Sequence, residues 1–288
     1  MRTIRTVAEL REVLASERRA GRTIGLVPTM GAFHAGHVSL MEQARAQTDV
    51  VVVSLFVNPT QFAPSEDLSA YPRDETRDAE IAAAAGVDVL FAPPVEEVYP
   101  DGFQTTVTVG ALAEPLEGAQ RPGHFDGVAT VVVKLLNMVA PDVAFFGQKD
   151  AQQALIVRRV VRDLDIPARI EVCPTVREPD GLAMSSRNAY LGPAERERAI
   201  ALRRALDAAE QAVAAGERDA RAVAGAAHAA MAPYDVEPEY LALVSSDTLA
   251  PVDQIDGEIL VALAARVGRA RLIDNTLITV NHSANGRS

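Results

Sequence analysis

The chain has 288 residues, 48% of them hydrophobic, and carries a formal net charge of −11 at pH 7. That content supports a folded core of one large or two medium domains. The acidic balance argues against a broad nucleic-acid surface, which needs a basic face. No apolar run is long enough to span a membrane. Met1 to Arg5 leads into a polar helical pattern instead of an apolar signal core. One cysteine, Cys173, rules out an intramolecular disulfide framework, reads as a small buried hydrophobe and suits a reducing cytoplasm. Of 28 basic residues only two are lysines, Lys134 and Lys149. Arginine serves wherever any cation would do, so each lysine stands out.

In chain order, Thr6-Val7-Ala8-Glu9 is a capping box that starts a helix, with Leu10, Val13 and Leu14 as its apolar face and Gly21 as its end. Thr23 to Val27 reads as a buried strand that Pro28 terminates for want of an N–H. From about Gly36 to Gln47 the pattern is helical, with Val38, Leu40, Met41 and Ala44 as its stripe. Such a strand, loop and helix start is expected to turn free backbone N–H groups and the positive end of a helix dipole toward an anion. The loop also carries His34 and His37. If the turn is helical, both imidazoles share a face and reach one ligand. Histidine there can donate a hydrogen bond and gain charge near neutral pH. The spacing also allows a metal pair, or two ordinary loop histidines.

Val50 to Val57 is a continuous apolar run, expected as a central parallel strand covered on both faces. Asn58-Pro59-Thr60-Gln61-Phe62 follows at its C-terminal end, where open α/β sheets place ligands. A long polar loop continues to Pro72. A helix is expected from Arg73 to Ala85, a strand at Val87 to Phe91, and an edge-like strand at Gln104 to Val109, where threonine and valine alternate. The loop from Ala111 to Gly127 carries Glu117, Arg121, His124 and Asp126. Val128 to Val139 reads as a buried helix, with Lys134 as a partner-satisfied residue. A short strand, Asp142 to Phe146, runs into Gly147-Gln148-Lys149-Asp150; a helix covers Ala151 to Leu164, and Ala168 to Val172 is a last strand.

This alternation predicts an α/β fold, with a doubly wound, parallel-sheet, Rossmann-like N-terminal domain over residues 1–175. Residues 176–288 read as a smaller α+β domain. It begins with the loop Met184-Ser185-Ser186-Arg187-Asn188. One long helix follows, opened by Gly192-Pro193, with Ala199, Leu202, Leu206, Ala209 and Val213 as its stripe. A second helix runs from about Asp219 to Met231 and contains a structural or exposed His228. Strands are expected at Glu239 to Val244, Glu258 to Ala265 and Arg271 to Ile278, before a polar tail, Asn281 to Ser288, with His282. Because the serine–arginine loop lies between the halves, the C-terminal domain is expected to act as a lid.

Four clusters carry chemistry: the two-histidine loop, Asn58 to Phe62, Gly147 to Gln153, and Met184 to Asn188. They offer imidazoles, an ammonium, a guanidinium, hydroxyls and backbone amides, a set suited to gripping a nucleoside triphosphate. Asp150 suits a magnesium ion. Gln61 and Gln153, with donors and acceptors both, suit a small hydroxylated substrate.

The motifs Pro28-Thr29-Met30-Gly31 with His34-Ala35-Gly36-His37, Phe56 to Phe62, Arg121-Pro122-Gly123-His124-Phe125-Asp126-Gly127, Gly147 to Asp150 with Gln153, and Met184 to Asn188 resemble the pantothenate synthetase (pantoate–β-alanine ligase) family. The likeness covers nearly the whole chain, in the family's motif order. One motif alone would point only to the wider nucleotidyl-transferase group; five together are specific. The resemblance implies adenylation of (R)-pantoate by ATP, release of pyrophosphate, attack by β-alanine on the pantoyl-adenylate, and release of AMP. It implies His37, His34 and Lys149 as catalytic, with His37 as proton donor. It assigns ATP to Met30, Gly31, His34, His37, Gly147, Lys149, Asp150, Val176, Met184, Ser185, Ser186 and Arg187. Pantoate falls to Gln61 and Gln153, β-alanine to Gln61, and Mg2+ to Asp150. It further implies a cytoplasmic homodimer with no nucleic-acid or membrane partner. Ala35, Thr60 and Gly192 depart from the commoner pattern without touching an assigned polar group. Asn58 reads as fixing the turn before Pro59, and Arg121 and His124, structural in their loop or functional, are left out of the site. A nucleotidyltransferase that frees its adenylylated product, and a non-catalytic nucleotide-binding regulator, are the other classes the residues allow.

Overall fold

The computed structural model describes residues 1–62, 68 and 71–280, which form two compact units, Met1–Val176 and Arg177–Ser288. Most of the polar loop expected before Pro72, and the tail Asn281 to Ser288 with His282, lie outside the described residues.

In the first unit, strands and helices alternate. β1 (Arg2–Ile4) leads to α1 (Val7–Arg19), whose N-cap Thr6 accepts the Glu9 N–H through Oγ1 at 3.3 Å. Then come β2 (Ile24–Thr29), α2 (Ala35–Gln47), β3 (Val50–Leu55), α3 (Glu75–Ala84) and β4 (Val89–Phe91). Two short helices, α4 (Val95–Val98) and α5 (Glu117–Gln120), precede the buried α6 (His124–Val139). β5 (Val143–Gly147), α7 (Ala151–Asp163) and β6 (Arg169–Cys173) complete the unit. The sheet order is β1-β4-β3-β2-β5-β6, and every pairing is parallel. β3 and β4 lie to one side of β2, β5 and β6 to the other. The direction of winding therefore reverses between β2 and β5, and the crevice beyond their C-terminal ends is where such a sheet takes a ligand. Met41 and Ala44 of α2 hold that region rigid, packed in one buried cluster with Val27, Val51, Val53, Val143 and Phe145.

In the second unit, α8 (Pro193–Ala199), α9 (Ala201–Ala214) and α10 (Ala220–Met231) precede an antiparallel sheet of β7 (Pro238–Ser245), β8 (Gly257–Val267) and β9 (Ala270–Val280). Leu202, Leu206, Ala209 and Val213 of α9 and Val223 and Met231 of α10 share one core with Ile259, Val261 and Leu263 of β8.

Several local expectations are corrected. β2 continues through Pro28 to Thr29, in register with Ser54 and Leu55. Thr29 faces β3, since its carbonyl accepts the Phe56 N–H at 3.1 Å. Successive residues of a strand alternate, so Pro28 faces β5, whose pairing with β2 covers only Gly25 and Leu26. The missing N–H thus falls where the ladder has already stopped. The opening residues, read as a lead-in, form β1 on the sheet edge. Gln104 to Val109 forms no ladder among the described residues. The helix expected from Pro193 is two, interrupted at Ile200, although every residue of the expected stripe is buried. α6 starts four residues earlier than expected, so His124 and Asp126 are helical.

Candidate active site

Beyond Thr29 the chain turns through Met30, Gly31 and Ala32, with Gly31 at φ 88° and Ala32 at φ 53°. A Cβ on Gly31 would stand 2.7 Å from Leu55 Cδ1 and 2.8 Å from Asp78 Oδ2, so glycine is required on both conformational and steric grounds. Asp78 of α3 fixes the turn. Its carboxylate is 1% exposed and accepts the Ala32 and Phe33 N–H groups, each at 2.8 Å. Nothing in the run Glu75-Thr76-Arg77-Asp78-Ala79-Glu80 distinguishes this acid from a solvated one on the first turn of a helix.

His34 is the N-cap of α2, and its Nδ1 accepts the Gly36 N–H at 3.1 Å. The Nδ1 of His37 accepts the His34 N–H at 3.4 Å, and the two ring centroids are 4.2 Å apart. A ring nitrogen that accepts a hydrogen bond holds no proton, so each neutral imidazole carries its proton on Nε2. The helix is thus capped by the very side chains expected to meet the ligand. This narrows the expectation of free backbone donors. The N–H groups of Ala32 and Phe33 go to Asp78, that of Gly36 to His34, and that of His37 to the His34 carbonyl at 2.8 Å. Beside them the junction carries the Nε2 edges of two imidazoles. The His37 pKa is lowered from 6.5 to about 3, mainly by burial, then by His34; Lys149 adds to the lowering and Asp150 opposes it. His37 is therefore a neutral donor at pH 7, where the sequence suggested a ring that charges near neutrality. Lys149 and Asp150 lie near enough to act on it.

Those two residues follow β5. Gln148–Asp150 is a single turn of 3-10 helix leading into α7, whose N-terminus has no side-chain cap. Lys149 is half-buried and Asp150 exposed. On the first turn of α7, Gln152 and Gln153 divide their labour. Gln152 is buried, donates to the Leu112 and Pro115 carbonyls at 2.9 and 2.8 Å, and accepts the Glu117 N–H at 3.0 Å. Gln153 is half-buried and takes no part in that bracket. Among the described residues no group of three or more His, Cys, Asp or Glu could hold a metal ion, so the histidines have no third ligand for a metal site. Asp150 alone does fit magnesium held chiefly by phosphate and water, a mode that asks one or two carboxylates of the protein.

After β3, Gln61 ends a short turn, Pro59–Gln61, fixed from every side. Asn58 is 1% exposed; its Nδ2 donates to Gln61 Oε1 and to the Gly127 carbonyl, both at 3.1 Å. Its Oδ1 accepts from Tyr99 Oη at 2.8 Å and Thr60 Oγ1 at 2.9 Å, which fixes the amide orientation. His124 Nδ1 donates to the Gln61 carbonyl at 2.8 Å, Arg121 Nη2 donates to the same oxygen at 3.3 Å, and Arg121 Nη1 lies 3.0 Å from His124 Nε2. α6 presses close: a Cβ on Gly127 would lie 2.4 Å from the Thr60 carbonyl oxygen. Asn58 thus fixes the turn as expected, and with Arg121 and His124, which the sequence leaves out of the site, it positions Gln61. With Oε1 occupied, Gln61 presents its Nε2 donors, one of them 3.2 Å from Met30 Sδ. That contact joins this turn to the two-histidine loop.

Val176 ends the first unit. In the second, Ser185 caps a 3-10 turn, Ser186–Tyr190, by accepting the Arg187 N–H at 3.2 Å. Asn188 anchors that turn to Glu178 at 2.7 Å and to the Ala183 carbonyl at 3.1 Å. Met184 and Ser186 are half-buried, and Arg187 is exposed.

Residues 2–277 match the family model described as Pantoate-beta-alanine ligase. The chain is 53% identical over 282 residues to the pantothenate synthetase of Moorella thermoacetica, covering 98% of this chain and 100% of that one. It superposes on the crystal structure of pantothenate synthetase from Thermus thermophilus with a TM-score of 0.91 and 49% identity, covering 96% of this chain and 99% of that one. A further match is pantoate-beta-alanine ligase from Francisella tularensis, complexed with beta-gamma ATP and beta-alanine. There the TM-score is 0.77 and the identity 34%, over 96% of this chain and 97% of that one.

Proposed function

The chain belongs to the pantoate-beta-alanine ligase family, and we propose how its residues divide the work of the reaction it catalyses, the ATP-dependent joining of (R)-pantoate to β-alanine. A carboxylate is a poor acylating agent. In the first step a pantoate carboxylate oxygen bonds to the α-phosphorus of ATP and the bond to pyrophosphate breaks. In the second, the β-alanine amine attacks the pantoyl carbonyl, loses a proton, and AMP leaves. The protein's part is positioning and charge stabilisation.

The observation that carries the assignment is the pair of imidazole Nε2 edges beside Lys149 at the switch point between β2 and β5. His37 and His34 donate from Nε2 to phosphate oxygens, and Lys149 adds a full positive charge where pyrophosphate charge develops. Met30 and Gly31 shape the loop, and Gly147 keeps the rim open. Gln61, held with its donors forward, and Gln153 bind pantoate, and Gln61 also meets β-alanine. Asp150 is the carboxylate for Mg2+, which neutralises phosphate charge when bound. Val176, Met184, Ser185, Ser186 and Arg187 take the ATP roles that the resemblance assigns them. The enzyme works as a homodimer in the cytoplasm; one buried free cysteine suits that compartment.

The test is product analysis with ATP, magnesium, pantoate and β-alanine. AMP and pyrophosphate are expected in equal amounts, with a bound adenylate accumulating when β-alanine is omitted. Release of ADP, or turnover indifferent to β-alanine, overturns the assignment.

A further inference from the structure

We propose that Tyr99 is a positioning residue for pantoate, clamped by Lys134 and acting through Asn58 on Gln61. This rests on the reading above that Gln61 binds pantoate, and names what holds that side chain from behind. Of the two lysines, Lys134 takes no part in the site proposed above. It is half-buried on the apolar α6, and among the described residues it makes no ion pair. Its partners are two rings. Nζ lies 4.5 Å from the centroid of Phe103 and 5.7 Å from that of Tyr99, and the two rings meet edge to face with centroids 5.1 Å apart. An ammonium over an aromatic face is attracted by the ring quadrupole, more strongly out of water. A compact point charge serves two rings set at 69° to each other, whereas a planar guanidinium stacks on one. That is a reason for lysine here, in a chain that elsewhere uses arginine.

The clamp places a hydroxyl. Tyr99 Oη donates to Asn58 Oδ1 at 2.8 Å, and Thr60 Oγ1 donates to the same oxygen at 2.9 Å. A longer contact, from the Thr60 N–H at 3.4 Å, completes that side of the amide. On the other side, Nδ2 donates to Gln61 Oε1 and to the Gly127 carbonyl, both at 3.1 Å. The Gly127 carbonyl can only accept, so it sets Nδ2 on its own side, and the hydroxyls hold Oδ1 opposite. A buried carboxamide matched at both ends has one orientation. Gln61 follows it, because Asn58 occupies its Oε1 and leaves its Nε2 to face outward.

α6 thus grips the turn Pro59–Gln61 at two points. Gly127 and Lys134 lie about two helical turns apart, on one face of the helix. Gly127 receives Asn58 directly. Lys134 holds the ring whose hydroxyl reaches Asn58 from the opposite end.

Steady-state kinetics on the full chain, with pantoate and ATP varied in turn, test this. Tyr99→Phe keeps the ring and removes the hydroxyl; it should raise the KM for pantoate about tenfold and leave the KM for ATP within about twofold. Lys134→Met keeps the apolar stem and removes the charge; it should raise the pantoate KM about threefold. Because Lys134 acts through the Tyr99 hydroxyl, adding Lys134→Met to Tyr99→Phe should cost nothing further. Residues that only stabilise the fold would lower the active fraction, and so kcat, without separating the two KM values, and their losses would multiply. An unchanged pantoate KM in Tyr99→Phe overturns the proposal, as do fully multiplicative effects of the two substitutions. Gln61→Ala is measured beside them. If it leaves the pantoate KM unchanged, the reading of Gln61 fails and the relay with it. If it raises that KM while Tyr99→Phe does not, only the relay fails.

Discussion

Two junctions on neighbouring strands, β2 to α2 and β5 to α7, solve the same problem in opposite ways. Each brings a strand end and a helix N-terminus to the switch point of the sheet. The first closes itself. Asp78 takes two of its backbone donors, and the imidazoles of His34 and His37 cap the helix through Nδ1. The second stays open. No side chain caps α7, and an ammonium and a carboxylate flank its start. On the reading proposed above, a phosphate chain at such a rim would meet oriented, neutral Nε2 donors on one side and an ammonium with a helix dipole on the other. Precision comes from the closed junction and electrostatic strength from the open one.

The largest expected effects fall on the groups proposed above to touch phosphate. Lys149→Ala and His37→Ala should each lower kcat for pyrophosphate release by about 10²–10³-fold, the usual cost of losing one such donor. The comparison separates them by stability. Lys149→Ala, which removes no cap from a helix, should lower the denaturation midpoint less. His37→Ala also removes the acceptor of the His34 N–H and should cost about 0.5–1 kcal/mol in urea unfolding. Equal stability for the two variants would mean that the imidazoles do not close α2. Full turnover in either removes its residue from the site.

Next comes the anchor of the closed junction. Asp78→Ala orphans two buried N–H groups beside a left-handed turn, and should destabilise the fold by about 2–4 kcal/mol. Asp78→Asn keeps one acceptor and should lose less. In that milder variant the KM for ATP should rise more than kcat falls, because the loop is displaced while its chemical groups are intact. Unchanged kinetics with lost stability would make Asp78 purely structural.

How much of this was legible in the sequence follows from the range of the interactions. The α/β alternation, the apolar β3 and the histidine spacing are local patterns, and the structure has them where the chain suggests. Pro28 misled because its effect depends on which neighbour β2 still has at that level, a fact of sheet topology. Asp78 was invisible because an acid that folds back onto backbone 46 residues away looks like one that faces water. His124 and Arg121 were visible as residues but not as partners, since the carbonyl they hold, that of Gln61, lies 63 and 60 positions away. The strand expected at Gln104 to Val109 has the composition of one, but the segment joins no ladder among the described residues.

A smaller effect concerns the proton on His37. Its pKa is lowered from the ordinary 6.5 to about 3, so the folded chain refuses a proton that the unfolded chain accepts between those values. By linkage its contribution is intact above pH 6.5 and is lost progressively as pH falls toward 3. Nitrogen-detected NMR of the ligand-free protein at pH 5 should find His37 neutral and protonated on Nε2. Added polyphosphate should raise its pKa, and calorimetry in buffers of different ionisation enthalpy should then show proton uptake on ATP binding at pH 5. A ring that titrates near 6.5 without ligand would break the contrast, since the closed junction would then offer charge as the open one does.

The smallest effect is at a third helix start, which serves as the purely structural reference for the other two. At α8, Glu195 Oε2 accepts the Gly192 N–H at 2.8 Å, but glycine has no side chain to return the bond. Gly192 is extended, at φ −71° and ψ 170°, and a Cβ there would meet only Glu195 Oε2 at 3.7 Å, an ordinary contact. Gly192→Ser should therefore complete the capping box and gain a few tenths of a kcal/mol, about 1 °C in Tm, with turnover unchanged. A gain of that size at α8, set beside the loss expected for His37→Ala at α2, would show that a cap has its ordinary structural worth in both places. The imidazoles would then differ from serine in one respect: after capping the helix through Nδ1 they keep a second ring nitrogen, the one proposed above to meet phosphate.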